Sequence, residues 1–115
     1  MIKNTLYAKY INEREGFEIV ETRHSFATYK IRDGECFIGH FYVEPEFRRE
    51  GHGQLLTKEL IDIAKKNKCR AVVGTVDLST GTPTNTLLAA LTAGYKVYKA
   101  NNDVIVIAIE IEQGD

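Results

Sequence analysis

The stretch from Cys36 to Lys66 constrains this chain most, because it demands a strand, an abrupt turn and a helix in immediate succession. Cys36-Phe37-Ile38-Gly39-His40-Phe41-Tyr42-Val43 is rich in aromatic and β-branched residues and reads as a buried strand. Leu56, Leu60, Ile63 and Ala64 then fall at i, i+4, i+7 and i+8, while Lys58, Glu59, Asp62, Lys65 and Lys66 take the other face. That pattern predicts a helix lying on a sheet, from about residue 53 to 67. Between the two, Pro45 ends ladder hydrogen bonding, and the glycines of Arg48-Arg49-Glu50-Gly51-His52-Gly53 let the backbone turn where side chains would forbid it.

A helix entered in this way leaves its first N–H groups without intrahelical partners, at the positive end of its dipole. Bare amides at Gly51 and Gly53, with Arg48 and Arg49 adding charge, make a cradle for a phosphate or diphosphate. Spacing separates the candidate ligands. The phosphate loop of nucleotide hydrolases needs Lys-Ser or Lys-Thr after the last glycine, where this chain has Gln54-Leu55. The dinucleotide fingerprint needs a third glycine where this chain has Leu56.

What remains is Arg-x-x-Gly-x-Gly on Arg48, Gly51 and Gly53, preceded by Val43-Glu44-Pro45-Glu46-Phe47. This segment resembles the signature of the GNAT superfamily of N-acetyltransferases, which usually reads Val-x-Pro-Glu-Tyr-Arg-x-x-Gly-x-Gly, with Phe47 in place of the tyrosine. The resemblance covers residues 36 to 95. A weaker second segment is Asn85, a leucine-rich helix and Gly94-Tyr95, two residues shorter than in common members. The tyrosine that often donates a proton there is absent: its place holds Thr92 counted from Asn85, or Ala90 counted back from Gly94.

The resemblance implies an α/β (α+β) fold of the acyl-CoA N-acyltransferase type, a mixed central sheet of about six strands flanked by helices. It also implies acetyl-CoA as co-substrate. Backbone amides from Arg49, Glu50, Gly51, His52, Gly53 and Gln54 are expected on the pyrophosphate, with Arg48 beside them. Strand backbone at Phe41 and Val43 would run along the pantetheine arm, and Asn85 would add a side-chain contact. The implied activity is transfer of an acetyl group to an amine acceptor by direct attack in a ternary complex. The alternative is a catalytically weak or inactive acetyl-CoA-binding or protein-interaction module on the same fold.

Acyl transfer to an amine needs a held donor, stabilisation of a developing oxyanion and removal of the amine proton. The family supplies the second from a strand backbone N–H, which maps to Phe41. For the base, His40 has an imidazole that titrates near neutrality, though strand alternation turns it away from its neighbour Phe41 and favours a core or sheet-face place. Glu44 ends the same strand, and Asp77 closes the facing one as a weaker candidate. Tyr95 and Tyr98 are the phenols nearest the missing acid. His52 reads as a phosphate or solvent contact, and His24 as part of a turn.

The remaining chain supplies the other elements. Ile2, Leu6, Tyr10 and Ile11 predict a short amphipathic helix over residues 2 to 14, ending at Gly16. Residues 17–22 and 25–31 read as strands, the second closing at the hairpin signal Asp33-Gly34. The continuous β-branched run at 70–76 predicts a buried strand, parallel to the Cys36 strand and reached by a right-handed crossover. Thr82-Pro83 predicts a capped helix start, and 95–99 and 104–111 the last two strands.

At 115 residues the chain is expected to be a single domain spanning 1–115. Its net charge of −1, with no basic run longer than two residues, argues against nucleic acid. The absence of a long apolar segment argues against a membrane and for a cytoplasmic protein. Cys36 and Cys69 lack metal-site spacing and read as reduced thiols, so no metal is expected. The expected partner is a small-molecule, peptide or protein amine, taken by a monomer or homodimer.

Overall fold

The computed structural model describes residues 5–48, 50–79 and 83–112, with backbone alone over 83–85. The elements run α1 (Leu6–Glu15), β1 (Glu18–Glu21), β2 (Ser25–Arg32), β3 (Glu35–Val43), a single 3-10 turn (Pro45–Phe47), α2 (His52–Lys66), β4 (Ala71–Asp77), α3 (Pro83–Thr92), β5 (Lys96–Ala100) and β6 (Val104–Glu110). The six strands form one sheet in the order β1-β2-β3-β4-β6-β5, antiparallel at every step except β3–β4. The mixed sheet read from the sequence is present, each strand beginning and ending within a residue of its expected bounds. The cap expected at Thr82 and the helix residues expected at 2–4 lie outside the described residues.

The core lies between the sheet and α2. Leu56, Leu60 and Ala64 are fully buried against Val20, Ala27, Cys36 and Val72, and α3 adds Leu87, Ala90 and Ala93 to the same cluster. Each large apolar side chain so buried contributes about 1.5–3 kcal/mol relative to exposure. Of the predicted α2 stripe, Ile63 is only partly buried, and the hydroxyl-bearing Thr57 takes an inner place. On α1 only Ile11 is buried, while Leu6 is 83% and Tyr10 51% exposed. A ten-residue helix packed at the β1 margin cannot sink a full stripe, so the expected inward placing of Leu6 and Tyr10 is corrected.

Two local features shape β3. Asp33 and Gly34, at φ 53° and 76°, form a two-residue turn that starts β2 and β3 pairing at Arg32–Glu35. Further along, Tyr29 stands opposite Ile38 but Thr28 opposite His40, so Gly39 is an extra residue, a β-bulge. A Cβ on Gly39 would lie 2.7 Å from both the Phe17 ring and the Thr28 hydroxyl oxygen. That hydroxyl accepts a hydrogen bond from the His40 N–H at 2.8 Å.

The parallel pairing is short. Among the described residues β3 and β4 pair only at Glu35–Ala71, Cys36–Val72 and Phe37–Val73, although both strands continue. The uniformly buried β4 read from its sequence is true of Ala71, Val72, Gly74 and Val76, while Thr75 and Asp77 on the other face are exposed.

Cys36 and Cys69 are buried, and neither is in a disulfide. Burial, with Cys69 as the lesser cause, pushes the Cys36 thiol up to about 12 from an ordinary 9.0. Burial likewise pushes the Tyr95 phenol up to about 12 from 10.0. The unfolded chain therefore gives up these protons first, and the stability they confer is full below about pH 9 and is lost as pH rises toward about 12. Thermal unfolding followed by circular dichroism should show a flat midpoint up to about pH 9, then a steady fall, shallower in Tyr95→Phe.

Candidate functional site

The start of α2 is led in by glycine, with Glu50 just ahead of it. Gly51 precedes the helix at φ 88° and ψ 2°, a left-handed conformation that a side chain resists, and a Cβ there would meet nothing within 4 Å. The first helical bond runs from the Leu55 N–H to the Gly51 carbonyl at 3.0 Å, so the amides of His52, Gly53 and Gln54 have no intrahelical acceptor. No side chain caps the helix, and its first turn holds no carboxylate. Exposed amides at the positive dipole end suit an anion. Arg48 lies alongside, its Nε donating to the Val43 carbonyl at 3.0 Å. Arg49 and the side chain of Asn85 lie outside the described residues, and the Gln54 amide reaches the Thr92 carbonyl of α3 at 3.5 Å.

Next to this helix start the sheet opens. The Glu44 N–H donates to the His24 carbonyl and the His40 N–H to the Thr28 hydroxyl, both on the β2 side. N–H directions alternate along a strand, so those of Phe41 and Val43 are directed the other way, into the gap where β4 has diverged. The bulge also puts Phe41 on the α2 side, its ring 3.7 Å from where a Gly53 Cβ would stand.

His24, which sequence reasoning left in a turn, is central to a cluster below the loop. Its Nδ1 lies 2.8 Å from Glu44 Oε1, and its ring stacks on Phe47 with centroids 3.5 Å apart at 14°. His52 meets both rings edge-on, at 5.2 Å from His24 and 5.8 Å from Phe47, with Nε2 3.8 Å from Glu50. The His52 ring packs on both and still leaves 22% of its side chain open to solvent. Glu44 is likewise tied to an imidazole instead of standing free in solvent. Counting back from the Asp33-Gly34 turn would have set His24 opposite Val43. The bulge shifts it to Glu44.

The other catalytic candidates are dispersed. His40 is exposed, and its ring lines an open hollow of about 390 Å³ with Tyr7, Phe26, Phe41 and Tyr42. Of the core or sheet-face place expected for it, the core half is corrected: the bulge and the missing β4 partner leave this part of β3 uncovered, and His40 lies on the open sheet face. Asp77 accepts from the Ser79 N–H at 2.8 Å and hydroxyl at 2.6 Å, and those hydrogen bonds hold its carboxyl below the usual range. Tyr95 is 4% exposed, with its hydroxyl 3.5 Å from Thr57 Oγ1. It is a core residue, and burial holds its proton, contrary to the acid role expected of it. Tyr98 is 74% exposed on β5. Among the described residues no group of His, Cys, Asp and Glu could hold a metal ion, and no helix is long and apolar enough to cross a membrane.

The sequence profile of the acetyltransferase (GNAT) family matches residues 13–88, more than half of the chain. The chain belongs to the GNAT acetyltransferase family. Solved GNAT structures share its fold. The ribosomal-protein-S18-alanine N-acetyltransferase of Escherichia coli superposes with a TM-score of 0.66 at 18% identity, covering 99% of this chain and 81% of that one. A GNAT family acetyltransferase of Elizabethkingia anophelis with acetyl-CoA bound gives 0.70 at 17%, over 90% and 82%. A Bacillus subtilis acetyltransferase in complex with CoA gives 0.67 at 13%, over 90% and 84%. At these identities the likeness is one of fold. No protein of curated function matches the chain by sequence.

In this GNAT chain the loop's outer wall rests on the imidazole of His24. Truncation by His24→Ala removes one ring stack and one hydrogen bond, which should cost about 1–2 kcal/mol. Urea unfolding would measure it. His24→Phe, which keeps the stack, should recover about half, and an unchanged midpoint in His24→Ala would show that the cluster contributes nothing.

Proposed function

We propose that the chain is an N-acetyltransferase that binds acetyl-coenzyme A at the α2 start and passes its acetyl group to an amine in a ternary complex. The observation that carries this reading is the parting of β3 and β4 beyond Phe37–Val73 next to an uncapped helix start with no acid in its first turn. The residues present fit the donor. The amides of Glu50 to Gln54, with Arg48 and Arg49, would hold the diphosphate, and the β3 edge at Phe41 and Val43 the pantetheine arm. Asn85 is the proposed contact from α3.

When bound, acetyl-coenzyme A supplies a thioester carbonyl that an amine nitrogen attacks, a C–N bond forming as the C–S bond breaks and the thiol leaves. The chain's part is to hold and to orient. The Phe41 N–H, free of β2 and facing the gap, is the donor placed for the charge that grows on the carbonyl oxygen. His40 lines the hollow on that side and is the proposed base, its ring open to solvent so that the proton can pass on. Glu44 acts on this reading through His24 and the loop, and not as a free carboxylate. Tyr95 has no acid role here, being shut in the core, and a thiolate leaves without a donor near neutral pH.

Calorimetric titration with coenzyme A tests the binding half. Gly51→Val, which strains a left-handed position and crowds the amides, should weaken binding about tenfold or more. For the chemical half, His40→Gln should lower kcat by about 100-fold or more while the KM for acetyl-coenzyme A holds. Tight binding with no turnover on any amine would favour a cofactor-binding module instead.

A further inference from the structure

The hollow beside the gap is an open depression walled by aromatic rings. Tyr7 of α1 meets Phe26 of β2 edge-on at 6.3 Å, and Phe26 meets Tyr42 of β3 at 5.8 Å, so three rings form one wall from the helix to the strand that carries Phe41. Tyr7 and Tyr42 leave 46% and 42% of their surface open, a large apolar exposure on a small protein. No carboxylate lines this hollow. Two acids, Glu21 and Glu44, line a separate depression of about 130 Å³ that shares Phe26 and Tyr42, and there Glu44 is engaged by His24. The cation at the rim is Arg48, its guanidinium carbon 5.8 Å from the centre of the Tyr42 ring.

We infer that this hollow takes the acyl acceptor, and that the acceptor is a monoamine whose nitrogen sits a few bonds from an aromatic or branched apolar group. The inference rests on the reading of the gap at Phe41 as the point of transfer. Charge decides against a polyamine or a polycationic sugar. Each further ammonium would press against hydrocarbon and the Arg48 charge with no carboxylate inside to meet it, whereas one ammonium can lie on ring faces. Size agrees, since about 390 Å³ lies in the range of small-molecule sites and admits a phenyl ring on a short linker. Reactivity agrees too: burial among rings disfavours the charged ammonium and so raises the share of neutral, nucleophilic amine. A free arylalkylamine and a peptide with an N-terminal aromatic residue present the same chemistry.

The experiment compares kcat/KM at saturating acetyl-coenzyme A for phenethylamine, a phenylalanyl dipeptide amide, spermidine and an aspartyl dipeptide amide. One or both aromatic amines should exceed spermidine and the aspartyl peptide by about tenfold or more, and which of the two leads tells the free amine from the peptide. Tyr7→Ala and Tyr42→Ala should raise the KM for the preferred amine about fivefold, leaving that for acetyl-coenzyme A within about twofold. Preference for spermidine, or equal rates for all four, overturns the inference. Phenethylamine is also titrated directly into protein saturated with coenzyme A. Heat in wild type that weakens in Tyr7→Ala supports the hollow even where turnover is slow. Coenzyme A binding with no amine heat sinks the hollow alone, and failure of coenzyme A to bind sinks the loop reading and with it the inference.

Discussion

The contact between Gly39 and its two neighbours, Phe17 and Thr28, controls the upper half of the molecule. With a hydrogen in place of a Cβ, the backbone of β3 comes close enough to both for an extra residue to be accommodated there. The Thr28 hydroxyl takes up the His40 N–H that the bulge displaces from the ladder, so that donor keeps a partner. Beyond this point β3 keeps its bond to β2 and parts from β4, which stays with β6. The bulge also resets the side-chain alternation, placing Phe41 with the α2 side and Tyr42 with Phe26 on the other.

From that one irregularity follow two different environments on either side of the gap. On the α2 side, a glycine-led helix start with no capping side chain and no acid in its first turn offers backbone donors at positive potential. On the α1 side, aromatic rings and an imidazole line an open hollow. Electrostatics favours a polyanion on the first side and an apolar amine on the second, and the strand backbone between them is the shared wall. Direct transfer needs such an arrangement, because donor and acceptor must reach one carbon from opposite directions. The His24–Phe47–His52 cluster then fixes the loop from outside, tying the β1–β2 connection to the first turn of α2.

Much of the fold was legible because its signals are local. The β-branched and aromatic runs, the Asp33-Gly34 turn and the leucines of α2 each depend on near neighbours, and the strands stand within a residue of their expected bounds. The glycine turn was legible for the same reason, since a left-handed φ at Gly51 and an uncapped helix start follow from residue types alone. Misreadings came where one element's fate depends on another. Leu6 and Tyr10 have helical spacing, but a helix at the margin of a sheet has little to sink into. Thr75 and Asp77 belong to a run that looks buried throughout, yet they alternate with the buried Gly74 and Val76 and lie exposed on the other face. Tyr95 sits beside a helix end where a phenol could serve as an acid, and it is taken up by the core under Thr57.

The catalytic candidates divide on the same line. The sequence by itself determined a strand, a glycine turn and an amphipathic helix, since dihedral preferences and hydrophobic period are properties of short segments. Only the tertiary structure decided that His40 is exposed on a hollow, that Glu44 belongs to His24 and that the Phe41 N–H looks into open space. Each of these depends on a single added residue in β3, whose effect on pairing is felt at His24, just ahead of β2, and across the sheet in β4. Register between strands is set by steric fit at one point, and no pattern confined to either strand records it.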